Sequence, residues 1–80
     1  MEQEVARFQK NATETVIVKL TNFKGSDLVD IRAHVEGQSG QGGVEMKPTQ
    51  KGLTLKVGLI PELIEALKKA ETTYKETNAA

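Results

Sequence analysis

Residues 22–32, NFKGSDLVDIR, decide the fold of this chain. The polar run KGSD at 24–27 is typical of a turn, and Gly25 can adopt positive φ there without steric cost. On both sides of the run, apolar and polar residues alternate, which is the period of a β-strand. The stretch therefore predicts a β-hairpin, with a large aromatic residue, Phe23, at the rim of its turn.

The alternation continues outward from the turn in both directions. ETVIVKLTNF (14–23) precedes it and LVDIRAHVE (28–36) follows it, so each predicts one strand of a sheet with two different faces. The apolar face carries Val16, Val18, Leu20, Val29, Ile31, Ala33 and Val35. The polar face carries Lys19, Thr21, Phe23, Leu28, Asp30, Arg32, His34 and Glu36.

Two further strands are predicted beyond a glycine-rich segment. GQSGQGG (37–43) predicts a mobile hairpin loop, and VEMK (44–47) a short third strand with Val44 and Met46 inward and Lys47 outward. PTQKG (48–52) begins with proline, which cannot donate to a strand ladder, so a turn is expected there. LTLKV (53–57) is then the fourth strand.

The period becomes helical after Gly58. Pro61 is tolerated only in a first helical turn, so a helix is expected to start near residues 58–61. One stripe of this helix is apolar and carries Ile60, Leu63, Ile64, Leu67, Ala70 and Tyr74. At the other end of the chain, residues 1–13 have no clear period and predict a flexible arm. We therefore expect one ββββα domain over 14–77 and a frayed tail at 78–80.

The predicted fold class is α+β, a four-stranded antiparallel β-meander followed by one C-terminal helix. Eighty residues allow only one small core, and the absence of cysteine excludes disulfides that could stabilise it. One helix covers only part of a four-stranded sheet, while its own stripe is broad. These features favour a homodimer in which the two helices pack together and against the sheets.

Composition and motifs argue against catalysis. His34 is the single histidine and has no Ser or Cys partner at a recognisable spacing, and GQSGQGG lacks the Gly-Lys-Ser/Thr ending of a phosphate loop. No set of ligands for a metal is apparent. We expect a non-enzymatic protein without cofactor or metal. No apolar run could span a membrane and no signal peptide is recognisable, so a soluble, cytoplasmic protein is expected.

The polar face offers a candidate surface for single-stranded nucleic acid. Cations can follow phosphates while an exposed aromatic ring such as Phe23 offers any base a stacking platform. The alternative is that these are ordinary solvated residues and that Phe23 packs on a neighbour. Eleven basic residues are balanced by eleven acidic ones, and Asp30, Glu36 and Glu45 dilute the positive potential.

Two blocks, FKGSDLVDIR (23–32) and MKPTQKGL (46–53), with a glycine-containing loop between them and a helix after them, resemble the transcriptional positive cofactor four family. The resemblance covers residues 15–70. Members are single-stranded-DNA-binding coactivators. It implies an intertwined homodimer of ββββα subunits whose sheets bind unpaired DNA, with transcription machinery as a further partner.

The resemblance also implies roles for individual residues. Phe23 matches the family's base-stacking phenylalanine, and Lys24 the cation beside it. Arg32 matches an arginine of the second strand. Lys47 and Lys51 match the two lysines of the KP-x-x-KG turn.

The chain departs from the family's human-type member at three positions close to these residues. Ser26 replaces a lysine, Val35 a tryptophan that would be a second stacking platform, and Gln50 a basic residue. Binding is therefore expected either to be weaker or to use other residues, of which His34 is the candidate. The predicted nucleic-acid-binding residues are Phe23, Lys24, Arg32, Lys47, Lys51, Lys19 and His34.

Two functions remain open at this point. The first is a single-stranded-DNA-binding transcriptional regulator or strand protector with little sequence specificity, for which unwound duplex and RNA are further ligands. Such a protein would be nucleoid-associated in a bacterium and nuclear in a eukaryote. The second is a dimeric protein-interaction module of the same fold with weak or lost DNA binding.

Overall fold

The structure, a computed structural model, describes residues 2–78 and consists of one sheet followed by a helix. Its elements in chain order are strands β1 (Glu2–Gln9), β2 (Glu14–Phe23), β3 (Ser26–Gln38) and β4 (Val44–Lys56), a 3-10 turn (Val57–Leu59) and helix α1 (Ile60–Asn78). The strands are antiparallel in the order β1-β2-β3-β4. The predicted α+β class, a β-meander with a C-terminal helix, is confirmed. The predicted tail at 78–80 lies outside the described residues except for Asn78, which ends α1.

The first of two corrections to the predicted strands concerns the N-terminal segment. Residues 1–13 were expected to be a flexible arm, but Glu2–Gln9 form β1 and pair with β2 along their length. A register shift between Glu4 and Ala6 leaves Val5 without a partner on β2. Val5 and Phe8 lie three positions apart in the sequence, so the apolar residues of β1 do not follow the two-residue period of a strand. All side chains of β1 are exposed, and its attachment to the sheet is therefore mainly through the backbone.

The second correction concerns β4. VEMK and LTLKV were predicted as separate strands joined by a turn, but both belong to one strand. Arg32 of β3 pairs with Gly52 and His34 pairs with Pro48, so three residues of β4, 49–51, bulge out opposite Ala33 alone. Pro48 is compatible with this arrangement because β4 is an edge strand of the sheet. The predicted total of four strands agrees with the structure only because one strand, β1, was missed and one strand, β4, was predicted as two.

Thr49 satisfies backbone groups within the bulge. Its Oγ1 donates a hydrogen bond to the carbonyl oxygen of Ala33 at 2.8 Å and accepts one from the backbone N–H of Lys51 at 3.1 Å. At the next position, a Cβ on Gly52 would lie 2.5 Å from the carbonyl oxygen of Ile31 and 2.7 Å from Cα of Arg32. Glycine is required there because the two strand backbones leave no room for a side chain.

The predicted faces of β2 and β3 are confirmed by their pairing. Val16 lies opposite Ala33, and Leu20 opposite Val29, so these residues share the apolar face. The turn between the strands contains only Lys24 and Gly25, with φ angles of 53° and 83°. Two consecutive positive φ angles are typical of a type I′ hairpin turn.

Helix α1 begins at Ile60, within the predicted range, and Pro61 lies in its first turn. No residue of α1 that the structure describes is buried within the chain. Leu63 is half-buried, whereas Ile64 and Leu67 are 46% and 60% exposed. A single chain therefore leaves most of the apolar stripe of α1 in contact with water.

The close approach at Gly52 gives a prediction about stability. Gly52→Ala forces a methyl group against the backbone of β3, and we expect the free energy of unfolding to fall by about 1–3 kcal/mol. Gly40→Ala is the matched control, because a Cβ at Gly40 meets nothing within 4 Å. Thermal and urea denaturation measure both effects. Equal stability of the two variants would contradict this account of the bulge.

Candidate nucleic-acid interface

Phe23 presents its ring to solvent at the end of β2. It lies directly opposite Ser26, whose short side chain does not cover the ring, and the residue is 62% exposed. Nζ of Lys24 lies 5.3 Å from the centre of the ring. An exposed aromatic ring beside a cation combines the two groups that single-stranded nucleic acid requires, a surface for a base and a charge for a phosphate.

Hydrogen bonds on the other side of the hairpin hold the turn that carries Phe23. Oδ1 of Asn22 accepts a hydrogen bond from the backbone N–H of Gly25 at 3.3 Å, and Nδ2 of Asn22 donates to Asp27 at 2.9 Å. Because neighbouring residues of a strand point to opposite faces, this polar pair leaves the Phe23 side of the hairpin free. The turn is thus fixed from the face that does not carry the ring.

Arg32 is held firmly on the polar face. Its Nη1 donates to the carbonyl oxygen of Thr49 at 2.9 Å, and its Nε and Nη2 donate to the carboxylate of Asp30 at 3.0–3.2 Å. Partial burial raises the pKa of Asp30, but hydrogen bonds from Arg32 and Thr54 outweigh it and keep that pKa below its ordinary value. The guanidinium charge is therefore largely balanced by a neighbouring carboxylate.

Lys19 also has a carboxylate partner. It lies opposite Asp30 across the β2–β3 ladder, and its Nζ is 3.6 Å from Oε1 of Glu2 on β1. The predicted position of Lys19 on the polar face is correct, but β1, which the sequence did not predict, adds acidic groups to this face.

His34 was predicted to contact nucleic acid, and the structure corrects this prediction. His34 is buried and only 1% exposed. The residues that pair with it are Thr15 of β2 and Pro48 of β4. Its Nδ1 is 3.0 Å from the carbonyl oxygen of Arg32, which can only accept, so Nδ1 carries the proton. His34 stabilises the sheet and is not accessible to a ligand.

Ile17 is a second buried residue on the face that carries His34. It is also 1% exposed and lies on the same face as His34, opposite Arg32. Sequence reasoning placed Val16, Val18 and Leu20 on the apolar face and assigned Ile17 to neither face. The signal for a second buried patch was the run at 16–18, in which three apolar residues are consecutive and do not alternate.

Lys47 lies on the opposite face from the one predicted. It pairs with Val35, which places it on the apolar side, whereas Met46 pairs with Glu36 on the polar side. The methylene groups of Lys47 occupy the space above Gly37, where a Cβ would be 2.6 Å from Cδ and Cε of the lysine. Its Nζ binds Glu45 at 2.9 Å. The apolar character of Val44 and Met46 suggested the reverse orientation, but the register of β3 decides it.

Lys51 belongs to a group that we call the Glu14 cluster, which comprises Lys10, Asn11, Glu14 and Lys51. Oε2 of Glu14 is 3.2 Å from Nζ of Lys51, and Oε1 is 2.8 Å from Nδ2 of Asn11 and 3.4 Å from Nζ of Lys10. The hydrogen bonds from Asn11 and from Lys51 lower the pKa of Glu14 to about 2. Lys10 was not among the predicted residues, because it lies in the segment interpreted as a flexible arm.

The predicted residues thus form two separate groups in one chain. Phe23 and Lys24 lie at one end of the β2–β3 hairpin, and Lys47 and Lys51 lie near Val35 at the other. Ser26 and Val35, which mark the two ends on β3, are separated by about 30 Å at the usual rise of a strand. Arg32 and Lys19 lie between them. Among residues 2–78, Lys24 is the one member of the predicted set of lysines and arginine that forms no ion pair.

Other kinds of site find little support in the part of the chain that the structure describes. Over residues 2–78, no group of three or more histidine, aspartate or glutamate residues is arranged to hold a metal ion. No helix in the same range has the length and apolar character needed to cross a membrane.

Comparisons with known proteins agree with this arrangement. The family model described as Transcriptional Coactivator p15 (PC4) matches residues 10–66. The structure is similar to BPSL1147, a PC4 homolog from Burkholderia pseudomallei K96243, in two crystal forms. The tetragonal form gives a TM-score of 0.75 at 25% identity over 89% of this chain and 98% of that chain. The orthorhombic form gives 0.71 at 26% identity over 86% and 88%. No curated protein sequence gives a significant match.

The matched residues include both sequence blocks on which the family resemblance was based, FKGSDLVDIR and MKPTQKGL. They also cover all of β2, β3 and β4 and the first turns of α1. The match therefore extends over well more than half of the chain and confirms the resemblance. The chain belongs to the Transcriptional Coactivator p15 (PC4) family.

Proposed function

We propose that this protein binds single-stranded DNA with little sequence specificity and acts as a transcriptional coactivator or regulator, or as a protector of single strands. The observation that carries the proposal is the exposed ring of Phe23 with Lys24 beside it, at the tip of the β2–β3 hairpin, in a chain of the PC4 family. Unwound duplex and RNA expose the same phosphates and unpaired bases, so both would compete for the surface.

Stacking and phosphate attraction account for the proposed lack of specificity. Every base has an aromatic face that can stack on Phe23, and every phosphate can interact with Lys24. Lys19 and Arg32 continue the polar face along the hairpin, and Lys47 and Lys51 lie on the edge strand β4. None of these contacts requires a particular base edge, because ammonium and guanidinium groups bind the backbone of any sequence.

We also propose that the active species is an intertwined homodimer. The exposed residues of the α1 stripe, Ile64 and Leu67, together with half-buried Leu63, would be covered by a second copy of the chain. Burial of such side chains is favourable by about 1.5–3 kcal/mol each when they are removed fully from water. A small sheet that buries few residues by itself benefits most from this additional core.

The proposed role involves no catalysis, cofactor or metal. We infer a cytoplasmic protein, nucleoid-associated in a bacterium or nuclear in a eukaryote, and transcription machinery as a further partner. A second function is favoured by one observation. Most of the predicted cations are paired with carboxylates, and the chain has no net charge. This pattern also suits a dimeric protein-interaction module of the same fold with weak DNA binding.

Replacement of Phe23 tests the binding proposal. We expect Phe23→Ala to weaken binding to oligo(dT) by about 1–3 kcal/mol, because one base loses its stacking platform. The melting temperature should change little, since the ring is exposed. Fluorescence anisotropy and thermal denaturation measure the two quantities on one variant.

Val44→Ala is the control for the loss of an exposed apolar side chain. Val44 is 71% exposed and begins β4 beside the glycine-rich loop, outside both groups of predicted residues, so its loss should not affect binding. Equal affinities of both variants and the unchanged protein would contradict stacking by Phe23. A loss of several kcal/mol of stability with unchanged binding by the folded fraction would do so as well.

The dimer has its own test. Sedimentation equilibrium at micromolar concentration should give twice the chain mass of 8.7 kDa. Leu67→Glu should lower this mass, because a carboxylate cannot be buried in an apolar interface without a partner. Thr72→Glu introduces the same charge on the opposite side of α1 and should leave the mass unchanged. A monomeric mass for the unchanged protein would refute the homodimer.

A further inference from the structure

The Glu14 cluster joins parts of the chain that are far apart in sequence. Glu14 begins β2, Lys10 lies in the turn before it, and Lys51 comes from the bulge of β4. The carboxylate of Glu14 lies within 3.4 Å of both ammonium groups. One buried carboxylate thus interacts with two lysines, one from the turn between β1 and β2 and one from β4.

In the Glu14 cluster, the acidic side chain is much less exposed to solvent than the basic side chain of Lys51. The side chain of Glu14 is 10% exposed, but that of Lys51 is 67% exposed. In the Lys68–Glu65 pair of α1, both side chains are more than 70% exposed and are extensively solvated. In the Glu14 cluster the carboxylate lies beneath the surface while the ammonium group of Lys51 remains open to a ligand.

The turn between β1 and β2 does not depend on Lys51. Oδ1 of Asn11 accepts hydrogen bonds from the backbone N–H groups of Thr13 and Glu14, at 3.0 and 2.8 Å. The backbone N–H of Lys10 donates to the carbonyl oxygen of Glu14 at 2.9 Å. The turn is therefore closed by local hydrogen bonds, and the contact between Glu14 and Lys51 is additional to them.

The charges of the cluster limit its attraction for a phosphate. Two ammonium groups and one carboxylate carry a net charge of +1, whereas the two lysines alone would carry +2. Glu14 is ionised throughout the neutral range, since hydrogen bonds from Asn11 and Lys51 hold its pKa at about 2. An ammonium group has three donors, so Lys51 can bind a phosphate while it remains bonded to Glu14, but in a weaker electrostatic field.

We propose that Glu14 is an internal competitor of nucleic-acid phosphate, which partly neutralises Lys10 and Lys51 and thereby sets the affinity of this end of the sheet for single strands. The inference rests on the proposed single-strand binding and identifies Lys10 as a further residue that binds phosphate. Glu14 thus weakens the binding of phosphate at this end of the sheet and reduces its dependence on salt.

Glu14→Gln tests this competition, because glutamine retains an oxygen that can accept from Asn11 but has no charge. Binding to oligo(dT), measured by anisotropy, should become about tenfold tighter at low salt. The slope of log K against log salt concentration should steepen by about 0.7 for each additional phosphate that the variant neutralises. Glu65→Gln is the matched control, since it changes the net charge of the chain equally, far from the cluster in sequence and on α1.

A double-mutant cycle separates the competition from an effect on folding. Lys51→Gln should weaken binding more in the Glu14→Gln background than in the unchanged protein, because Lys51 is then free of its carboxylate. Thermal denaturation gives the folded fraction to which each affinity refers. Equal effects of Lys51→Gln in both backgrounds, or equal affinities of Glu14→Gln and Glu65→Gln, would overturn the inference while leaving single-strand binding intact. Absence of binding by all variants, including the unchanged protein, would overturn both.

Discussion

The backbone of β4 approaches that of β3 so closely at Gly52 that no side chain fits between them. This constraint places the bulge at 49–51 opposite Ala33, and Thr49 closes the bulge with its hydroxyl group. The carbonyl oxygen of Thr49 then reaches Arg32, and Lys51 is directed to the cluster around Glu14. The positions of two predicted cations therefore follow from one contact between two strands.

The chain has no net charge, but most of the predicted cations lie beside a particular carboxylate. Carboxylates from β1, β2, β3 and β4 accompany Lys19, Lys51, Arg32 and Lys47. Within the described residues, the hairpin tip is different, because Lys24 interacts there with the ring of Phe23. If single strands bind this sheet, phosphates must compete with carboxylates along most of its length. Affinity is then set by the exchange of one anion for another more than by the number of basic residues.

The sequence was sufficient to predict what depends on local pattern. The β2–β3 hairpin, the faces of both its strands, the start of α1 and the family were all predicted correctly. The errors occurred where a strand is irregular. The bulge near Val5 removes the period of β1, and the bulge at 49–51 resembles a turn because it follows proline. The burial of His34 and the face of Lys47 depend on pairing with distant residues, which a periodicity argument cannot supply.

The central claim is that single strands contact the hairpin tip and the bulge of β4. A titration of the isotope-labelled protein with oligo(dT), followed by amide chemical shifts, tests it directly. The account predicts the largest changes at Lys24 and Gly25 and at residues 49–52, with little change in the second half of α1, residues 68–78. Changes confined to α1, or to the glycine-rich loop at 39–43, would contradict it.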